Sequence, residues 1–274
     1  MLECLKYINH MNEVFEFGKN GIFVDGNDLH DYEWNTVSKG KRISNFDYVI
    51  RKKKLPVVIM CDTEEKGIAA RNRLMEVAEK DVLAMKPGRI VYGDYYYRCY
   101  VTKSQKNRYQ TSKRYMEATL TLTSDHPFWI KETVFSFRST EPIGEGNSLD
   151  YPFDYPHDYL NNIGTLQIFN PDIVATNFRM IIYGVCNNPT IHIGNHRYKV
   201  NCNVGSGEYL VIDSVTKTIT LTSNDGTTVN VFNNRDRESY IFEKIAPGTN
   251  VVSRESGVIC DIILLEERSE PKWN

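Results

Sequence analysis

Residues 89–102 have the sequence RIVYGDYYYRCYVT, two apolar and aromatic runs that meet at Gly93-Asp94. A Gly-Asp pair between two such runs is typical of a tight hairpin turn. Side chains alternate between the two faces of a strand, so Tyr95 and Tyr97 share one face and Tyr96 lies on the other. This stretch therefore predicts two antiparallel strands with one apolar face.

Strand patterns account for most of the rest of residues 1–140. A second hairpin is predicted where Gly18 to Gly21 separate two short apolar runs. A β-branched run at 55–61 predicts a buried strand. Residues 115–123 alternate again, with Met116, Ala118 and Leu120 on the apolar face. The first half is therefore expected to be β-rich, with strands at 14–17, 22–24, 55–61, 89–92, 95–102 and 115–123.

One amphipathic helix is predicted over about residues 63–85. Asp62 and Glu65 have the spacing of a capping box at its start, and residues 86–88 (Lys-Pro-Gly) end it. The helical spacing of the apolar residues predicts one buried face. That face is expected to consist of Ile68, Leu74, Val77, Ala78 and Val82.

The second half of the chain shows short strand patterns, with turn residues every 8–12 positions and no helical stretch. That spacing is typical of an antiparallel β-sandwich. Strands are predicted at 177–186, 197–202, 208–212, 218–222, 228–232, 239–245 and 258–265.

Residues 141–160 differ from both halves. Residues 141–147 are turn-forming, and an Asp-Tyr-Pro repeat at 150–159 carries two prolines that forbid a helix and favour an extended path. The expected organisation is a β-rich domain over 1–140, a linker over 141–160 and a sandwich over 161–274. Charge supports two domains, because residues 1–140 hold 23 Lys and Arg against 18 Asp and Glu, whereas 141–274 hold 10 against 17.

No stretch approaches the roughly 18 apolar residues of a membrane span. The start of the chain lacks a secretory pattern, since Glu3 takes the place of a basic residue and Lys6 interrupts the apolar run. We expect synthesis and folding in a cytosol. The six cysteines, none in a C-x-x-C pair, are expected to be free thiols.

One set of residues has the composition of a zinc site. Cys186, His192, His196 and Cys202 combine two thiols with two imidazoles. A hairpin turning at 194–195 would pair His192 with Arg197, so the two histidines would lie on opposite faces. The same count pairs Cys186 with Asn203 and separates the two thiols, so no metal and no cofactor is predicted.

A cluster of acidic residues is a second candidate site. Asp150, Asp154 and Asp158 with His157 could bind calcium or act as an acid–base pair, but the spacing is not that of an EF-hand. No nucleotide-binding glycine motif and no G-x-S-x-G is present, so no enzyme activity is predicted.

A basic stretch lies between two of the predicted strands. It runs from Lys103 to Arg114, and a second basic run occupies 51–54. With tyrosines nearby these runs could suggest nucleic acid, but the sequence pI of about 6.3 is far below that of a nucleic-acid-binding domain. The sharper hypothesis is a protruding basic connection that meets an acidic surface of a neighbouring subunit. The candidate interface residues are Lys103, Lys106, Arg108, Lys113 and Arg114.

In its order of motifs the chain resembles the distal tail proteins of long-tailed bacteriophages that infect Gram-positive bacteria. The resemblance spans nearly the whole chain, and the Asp-Tyr-Pro repeat is its most distinctive part. The segments that carry it are 15–20 (FEFGKN), 81 with 87–88, 92–96 (YGDYY), 120–129 (LTLTSDHPFW), 150–159, 183–184, 207–213 (GEYLVID), 247–250 (PGTN) and 265–273 (LEERSEPKW).

The resemblance implies a mainly β chain with an N-terminal β-rich domain that carries one amphipathic helix and a C-terminal galectin-like antiparallel β-sandwich. It implies a structural baseplate hub in a virion tail tip, or in a phage-tail-like bacteriocin. Six copies would form a ring that joins the tail tube to tip proteins and sometimes to receptor-binding proteins, next to the tape-measure protein. DNA would pass through the ring without specific recognition. The basic connection lies where the family often has an intersubunit hairpin.

Two alternatives stay open at this point. A galectin-like fold suggests a carbohydrate-binding protein, although the second half offers no Trp platform and no insertion for a sugar. A hydrolase using Asp150 and Asp154 is the third hypothesis.

Overall fold

The computed structural model describes residues 5–108, 112–138, 166–255 and 257–272. The chain forms two compact units, Met1–Lys131 with Glu267–Asn274 and Glu132–Glu266. The chain passes from one unit to the other after Lys131 and again after Glu266, not at the predicted boundary. The predicted linker lies outside the described residues. The division into 1–140, 141–160 and 161–274 stays a prediction.

The first unit consists of strands and one long helix. Its strands are β1 (Lys6–Ile8), β2 (Val14–Glu16), β3 (Ile22–Val24), β4 (Asn35–Lys39), β5 (Arg42–Asp47), β6 (Arg51–Met60), β7 (Gly88–Tyr92), β8 (Tyr95–Arg108) and β9 (Tyr115–Ser124), and its helix is α1 (Glu64–Ala84). Two further strands carry residues of both units, β10 (Trp129–Phe137) and β21 (Ile259–Arg268). Among the described residues, no helix is long and apolar enough to cross a membrane.

The long strand β8 takes part in two antiparallel sets of the first unit. Its first half pairs with β7 and with the start of β10, and β7 continues through β1 to β2. Its second half pairs with β9, which continues through β6 to β3. The predicted hairpin at 89–102 is confirmed, because Tyr92 pairs with Tyr95 across Gly93-Asp94.

The alternation of apolar residues in these strands builds the core of the first unit. Tyr97, Cys99, Leu120 and Leu122 are buried, as their predicted faces require. Trp129 lies fully buried against Tyr97, with ring centroids 5.5 Å apart. The core therefore forms where the alternating faces of the strands and the helix meet.

The predicted second hairpin is wrong. Although a turn does lie between them, β2 pairs with β1 and β3 pairs with β6. The strand predicted at 55–61 is longer than expected and begins at Arg51 within the basic run.

The helix confirms its predicted span and the predicted burial of Leu74, Val77 and Ala78, but the predicted burial of Ile68 and Val82 is wrong. Its N-cap is Thr63, whose hydroxyl accepts from the Lys66 N–H at 3.3 Å, rather than Asp62. Met85 ends it in the left-handed conformation with φ 53°. Ile68 and Val82 are exposed, because the helix packs through small residues and one carboxylate as well as through aliphatic ones. The buried face is Gly67, Ala70, Leu74, Val77, Ala78 and Asp81.

A polar cluster that the sequence did not predict holds the helix against β1. Asp81 is fully buried and accepts a hydrogen bond from the Tyr7 hydroxyl at 2.5 Å. It also accepts from the His10 N–H at 2.8 Å and contacts the His10 ring Nδ1 at 2.6 Å. Buried carboxylates are costly unless they are satisfied in this way, so the cluster fixes the end of α1 to the sheet.

The second unit contains two main antiparallel sheets. One sheet has the order β19-β18-β17-β12-β21, and the other has the order β11-β20-β14-β15. The remaining strand bounds are β11 (Gln167–Asn170), β12 (Asn177–Tyr183), β13 (Cys186–Asn187), β14 (Thr190–Ile193), β15 (His196–Lys199), β16 (Asn203–Val204), β17 (Tyr209–Asp213), β18 (Thr218–Thr222), β19 (Thr228–Asn230) and β20 (Gly248–Arg254).

Both sheets contribute to a single core, so the predicted antiparallel sandwich is confirmed. Phe178 of one sheet and Tyr198 of the other are buried in an edge contact with centroids 5.2 Å apart. The strand predicted at 239–245 is wrong, because that segment is turn with one isolated bridge from Ile245 to Thr176. The described chain also contains a short 3-10 helix, Phe232–Asn234.

Candidate functional site

The predicted interface residues fall on two different parts of the first unit. Lys103, Lys106 and Arg108 lie on the second half of β8, and Lys113 and Arg114 lie at the start of the return toward β9. Residues 103–114 were expected to form a protruding polar connection. Residues 103–108 instead continue β8 and pair with β9.

The β8 part of this site is an exposed edge. In the described part of the chain, β9 is the only strand that pairs with Lys103 to Arg108. Register shifts occur between Val101 and Lys103 and between Lys106 and Arg108. Lysines and bulges are the means by which sheets prevent indiscriminate pairing of an edge. The arrangement favours ionic contacts with a partner over extension of the sheet.

Lys113 and Arg114 belong to a turn that is tied to the helix. The Cys61 N–H donates to the Arg114 carbonyl at 3.0 Å, and the Arg114 guanidinium donates to the Asp62 carbonyl at 3.2 Å. Arg71 of the helix donates to the carbonyls of Ser112 and Tyr115 at 2.7 and 2.5 Å. This turn is therefore packed on the helix, and the Lys113 ammonium lies 3.5 Å from the Glu64 carboxylate.

An open groove lies beside that turn. It has a volume of about 1120 Å³ and lies between the strands β2 and β3 on one side and α1 on the other. Its apolar lining includes Val14, Phe23 and Met60, which are 41, 37 and 58% exposed. We call it the groove. Its other lining residues are Phe15, Glu16, Asn20, Gly21, Ile22, Cys61, Asp62, Lys66, Ala69, Ala70, Asn72, Arg73 and Glu76.

Two side chains of the basic run at 51–54, Arg51 and Lys53, are engaged within the chain. Lys53 is buried, and its ammonium donates to the carbonyls of Asp28 at 3.1 Å and Leu29 at 2.9 Å, and to that of Asp31. Burial lowers the pKa of Lys53. Arg51 is paired with Glu33 at 2.7 Å. These contacts hold a loop in place, whereas Lys52 and Lys54 are exposed.

The histidines of the metal candidate lie as predicted. His192 pairs with Arg197, and Ile193 pairs with His196, which puts the two imidazoles on opposite faces. The His196 ring Nε2 lies 2.9 Å from the Tyr240 carbonyl.

The predicted cysteine register is wrong by one residue. Cys186 pairs with Val204, not with Asn203, because the return strand carries one extra residue before the short ladder of β13 and β16. Cys186 and Cys202 both pack against the core of the second unit, so the predicted separation of the two thiols is wrong. Burial raises the pKa of both thiols, that of Cys202 to about 11, and the neighbouring Cys186 contributes to the rise at Cys202. In the described ranges, no three His, Cys, Asp or Glu side chains are grouped to hold a metal ion. The acid cluster of Asp150, Asp154, His157 and Asp158 lies outside the described residues.

One feature escaped the sequence analysis. Residues 35–47 form an exposed hairpin, β4 paired with β5, which we call the arm. A weak signal for it exists, since Lys39-Gly40-Lys41 separates two short runs in which apolar residues stand among polar ones. Its apolar side chains are few and widely spaced, which is why the run did not suggest a strand.

Comparison with known proteins finds a shared fold. No family model matches the chain, and no curated protein matches it. Among solved structures, a chain of the phage P2 baseplate in its activated conformation with Ca has a TM-score of 0.63 at 11% identity, covering 99% of this chain and 100% of that one. The corresponding structure with Sr has a TM-score of 0.64 at 11% identity, with the same coverage.

A second protein has the same fold. SPP1 Dit, described as a paradigm of the hub adsorption apparatus in phages infecting Gram-positive bacteria, has a TM-score of 0.55 at 9% identity and covers 98% of this chain and 100% of that one. The chain therefore has, over essentially its full length, the fold of these phage baseplate and Dit proteins.

Proposed function

We propose that this chain is a structural hub of a phage baseplate. The observation that carries the proposal is the fold match, which extends over 98–99% of this chain and 100% of each compared chain. A match over both complete lengths supports a shared architecture better than a match of one common sandwich would.

The proposed assembly is a homohexameric ring in a long non-contractile tail, or in a phage-tail-like bacteriocin. The ring joins the tail tube to tip proteins and to receptor-binding proteins at the tail tip. Two unlike surfaces per subunit are needed for such a head-to-tail ring. The exposed basic edge at Lys103 to Arg108 is one surface suited to an ionic contact of this kind.

No catalytic role is assigned. The described side chains with the most strongly raised pKa values are core residues whose pKa is raised first by burial: Tyr7, Tyr97, Cys99, Tyr198 and Cys260. All of them are buried, so none is placed to meet a substrate. The geometry of the first unit supports packing and assembly.

The first test is the native mass of the full chain by light scattering over a range of concentrations. A hub ring predicts a hexamer, alone or on addition of the tail tube protein. A monomer under all of these conditions would contradict the proposal.

The basic edge is tested by reversing its charge. The double substitution Lys106→Glu with Arg108→Glu is expected to weaken assembly, and the effect of salt on assembly should fall with it. Lys244→Glu, an exposed change on the second unit, is the matched control and should leave the native mass unchanged. Unchanged assembly of the double variant would remove this edge from the interface and leave the ring itself untouched.

A further inference from the structure

The arm is a two-stranded ribbon whose faces differ. Thr36 pairs with Phe46 and Ser38 with Ile43, so these four side chains share one face. A bulge between Val37 and Ser38 keeps the two apolar residues of β5 on that face. The opposite face carries the charged pair Lys39 and Arg42, the pair Asn35 and Asp47, and a single apolar side chain, Val37, opposite Asn45.

The apolar face of the arm is uncovered. Ile43 is 59% and Phe46 is 56% exposed, and Val49 and Ile50, which follow the arm directly, are 48 and 64% exposed. Among the described residues, the two strands pair only with each other. An isolated two-stranded hairpin is marginally stable in water, and a contiguous exposed apolar patch usually marks an interaction surface. An uncovered apolar ribbon of this kind is suited to contact with a partner.

The groove has exposed apolar side chains and strand edges that a ribbon of this kind could cover. Its lining combines exposed Val14, Phe23 and Met60 with small side chains of α1. In the described part of the chain, β2 pairs only with β1, and β3 only with β6, so each has a second edge that is not paired. The lining thus offers both apolar area and sheet edges.

The tip of the arm is basic, whereas the lining of the groove has a small net negative charge. The tip of the arm carries Lys39, Lys41 and Arg42, and no ion pair to these three is found among the described residues. The groove is lined by three acidic and two basic side chains, a net charge of −1. The lining acids are Glu16, Asp62 and Glu76, and the lining cations are Lys66 and Arg73.

We propose that the arm of one subunit docks its Ile43 and Phe46 face into the groove of a second copy of this chain. Among the described residues, no residue of the arm lines the groove of its own chain, and we infer that the contact is between copies. Arm and groove are different surfaces, and the contact is therefore head-to-tail, which closes a ring when the rotation permits. This inference rests on the proposed ring and names the surfaces that form it.

The groove contains a native thiol that makes the contact measurable. Cys61 lines the groove and is partly exposed. The substitution Ile43→Cys places a second thiol on the docking face of the arm. Treatment of the assembled full chain with a short bismaleimide then joins the two thiols covalently where arm and groove meet, and the products are resolved on a denaturing gel.

The expected result is a ladder of multimers for Ile43→Cys, which is lost when Cys61→Ser is added. Val251→Cys, which is 52% exposed on the second unit, is the matched control and should give no such ladder. Ser38→Cys occupies the same arm face with a milder change, and it serves if loss of Ile43 prevents assembly.

Light scattering of the same samples separates the two proposals. An oligomer without the Cys61-dependent ladder in either arm variant would overturn the docking of arm into groove and leave the ring. A ladder that persists without Cys61 would also overturn it, in favour of contact between arms. A chain that is monomeric before any substitution, with no ladder in either variant, would overturn both.

Discussion

The first unit contains two hairpins of similar sequence pattern and opposite surroundings. In the hairpin of β7 and β8, Ile90 and Tyr97 are fully buried, and further strands pair on both sides. In the arm, Ile43 and Phe46 remain more than half exposed. A local sequence pattern with a Gly-containing turn is therefore enough to form a hairpin. Whether its apolar side chains are buried depends on what covers the apolar face. For the arm, the proposed cover is another copy of the chain.

The largest difference is expected between two equivalent truncations. Ile90→Ala in the buried hairpin should destabilise the chain by about 2–5 kcal/mol, because it removes buried methyl groups and leaves a cavity. Ile43→Ala in the arm should change the stability of a dissociated chain by less than about 0.5 kcal/mol, as is usual at exposed positions. Urea unfolding of both variants provides the measurement. Equal losses would show that the arm is part of the same core.

The next effect concerns the loop that leads into the arm. Lys53→Met leaves three loop carbonyls without their ammonium donor, for which we expect a loss of about 1–3 kcal/mol. Exchange of the arm amides should also become faster, because the Asp28 to Asp31 loop is no longer held. Lys52→Met, at the exposed neighbouring position, is the control.

Unfolding midpoints and hydrogen exchange of the two lysine variants decide this prediction. If Lys52→Met and Lys53→Met behave alike, the carbonyl contacts of Lys53 do not stabilise the loop.

The smallest effect concerns the helix beside the groove. A Cβ at Gly67 would lie 2.3 Å from the Lys113 carbonyl oxygen. Gly67→Ala should therefore destabilise the chain by about 1–2 kcal/mol, a steric cost that exceeds the roughly 1 kcal/mol by which Ala favours a helix. Gly26→Ala, where nothing lies within 4 Å, should be nearly neutral in the same thermal or urea unfolding experiment. A stabilised Gly67→Ala would mean that the turn at 112–115 is not packed on the helix.

Local patterns predicted the elements better than their partners. The hairpin at 89–102, the span of the helix and the sandwich class follow from turn residues, capping positions and hydrophobic period. The pairing of β2 with β1 and of β3 with β6 does not, because it depends on residues distant in sequence. The shifted partner of Cys186 arises likewise from one extra residue in an irregular connection, which a count from the hairpin turn cannot detect.

The candidate site was predicted in composition but not in shape. The lysines and arginines of 103–114 could be chosen from their charge alone, whereas their division between an edge strand and a helix-bound turn required the contacts of Arg71 and Arg114. For Lys53 the expectation is wrong. A charged side chain in a basic run is expected to be solvated, but its ammonium is buried among loop carbonyls. The sequence pattern of the arm is weak. In the described part of the chain, no other segment covers its apolar face.

Hydrogen–deuterium exchange of the full chain at low and high concentration tests the central claim most directly. Peptides covering 35–47 should exchange rapidly in dilute samples and slowly once the chain assembles, because the backbone of the arm becomes buried. Peptides covering 88–99 should exchange slowly at both concentrations. Equally rapid exchange of the arm in dilute and in assembled samples would contradict the claim that a second copy of the chain covers it.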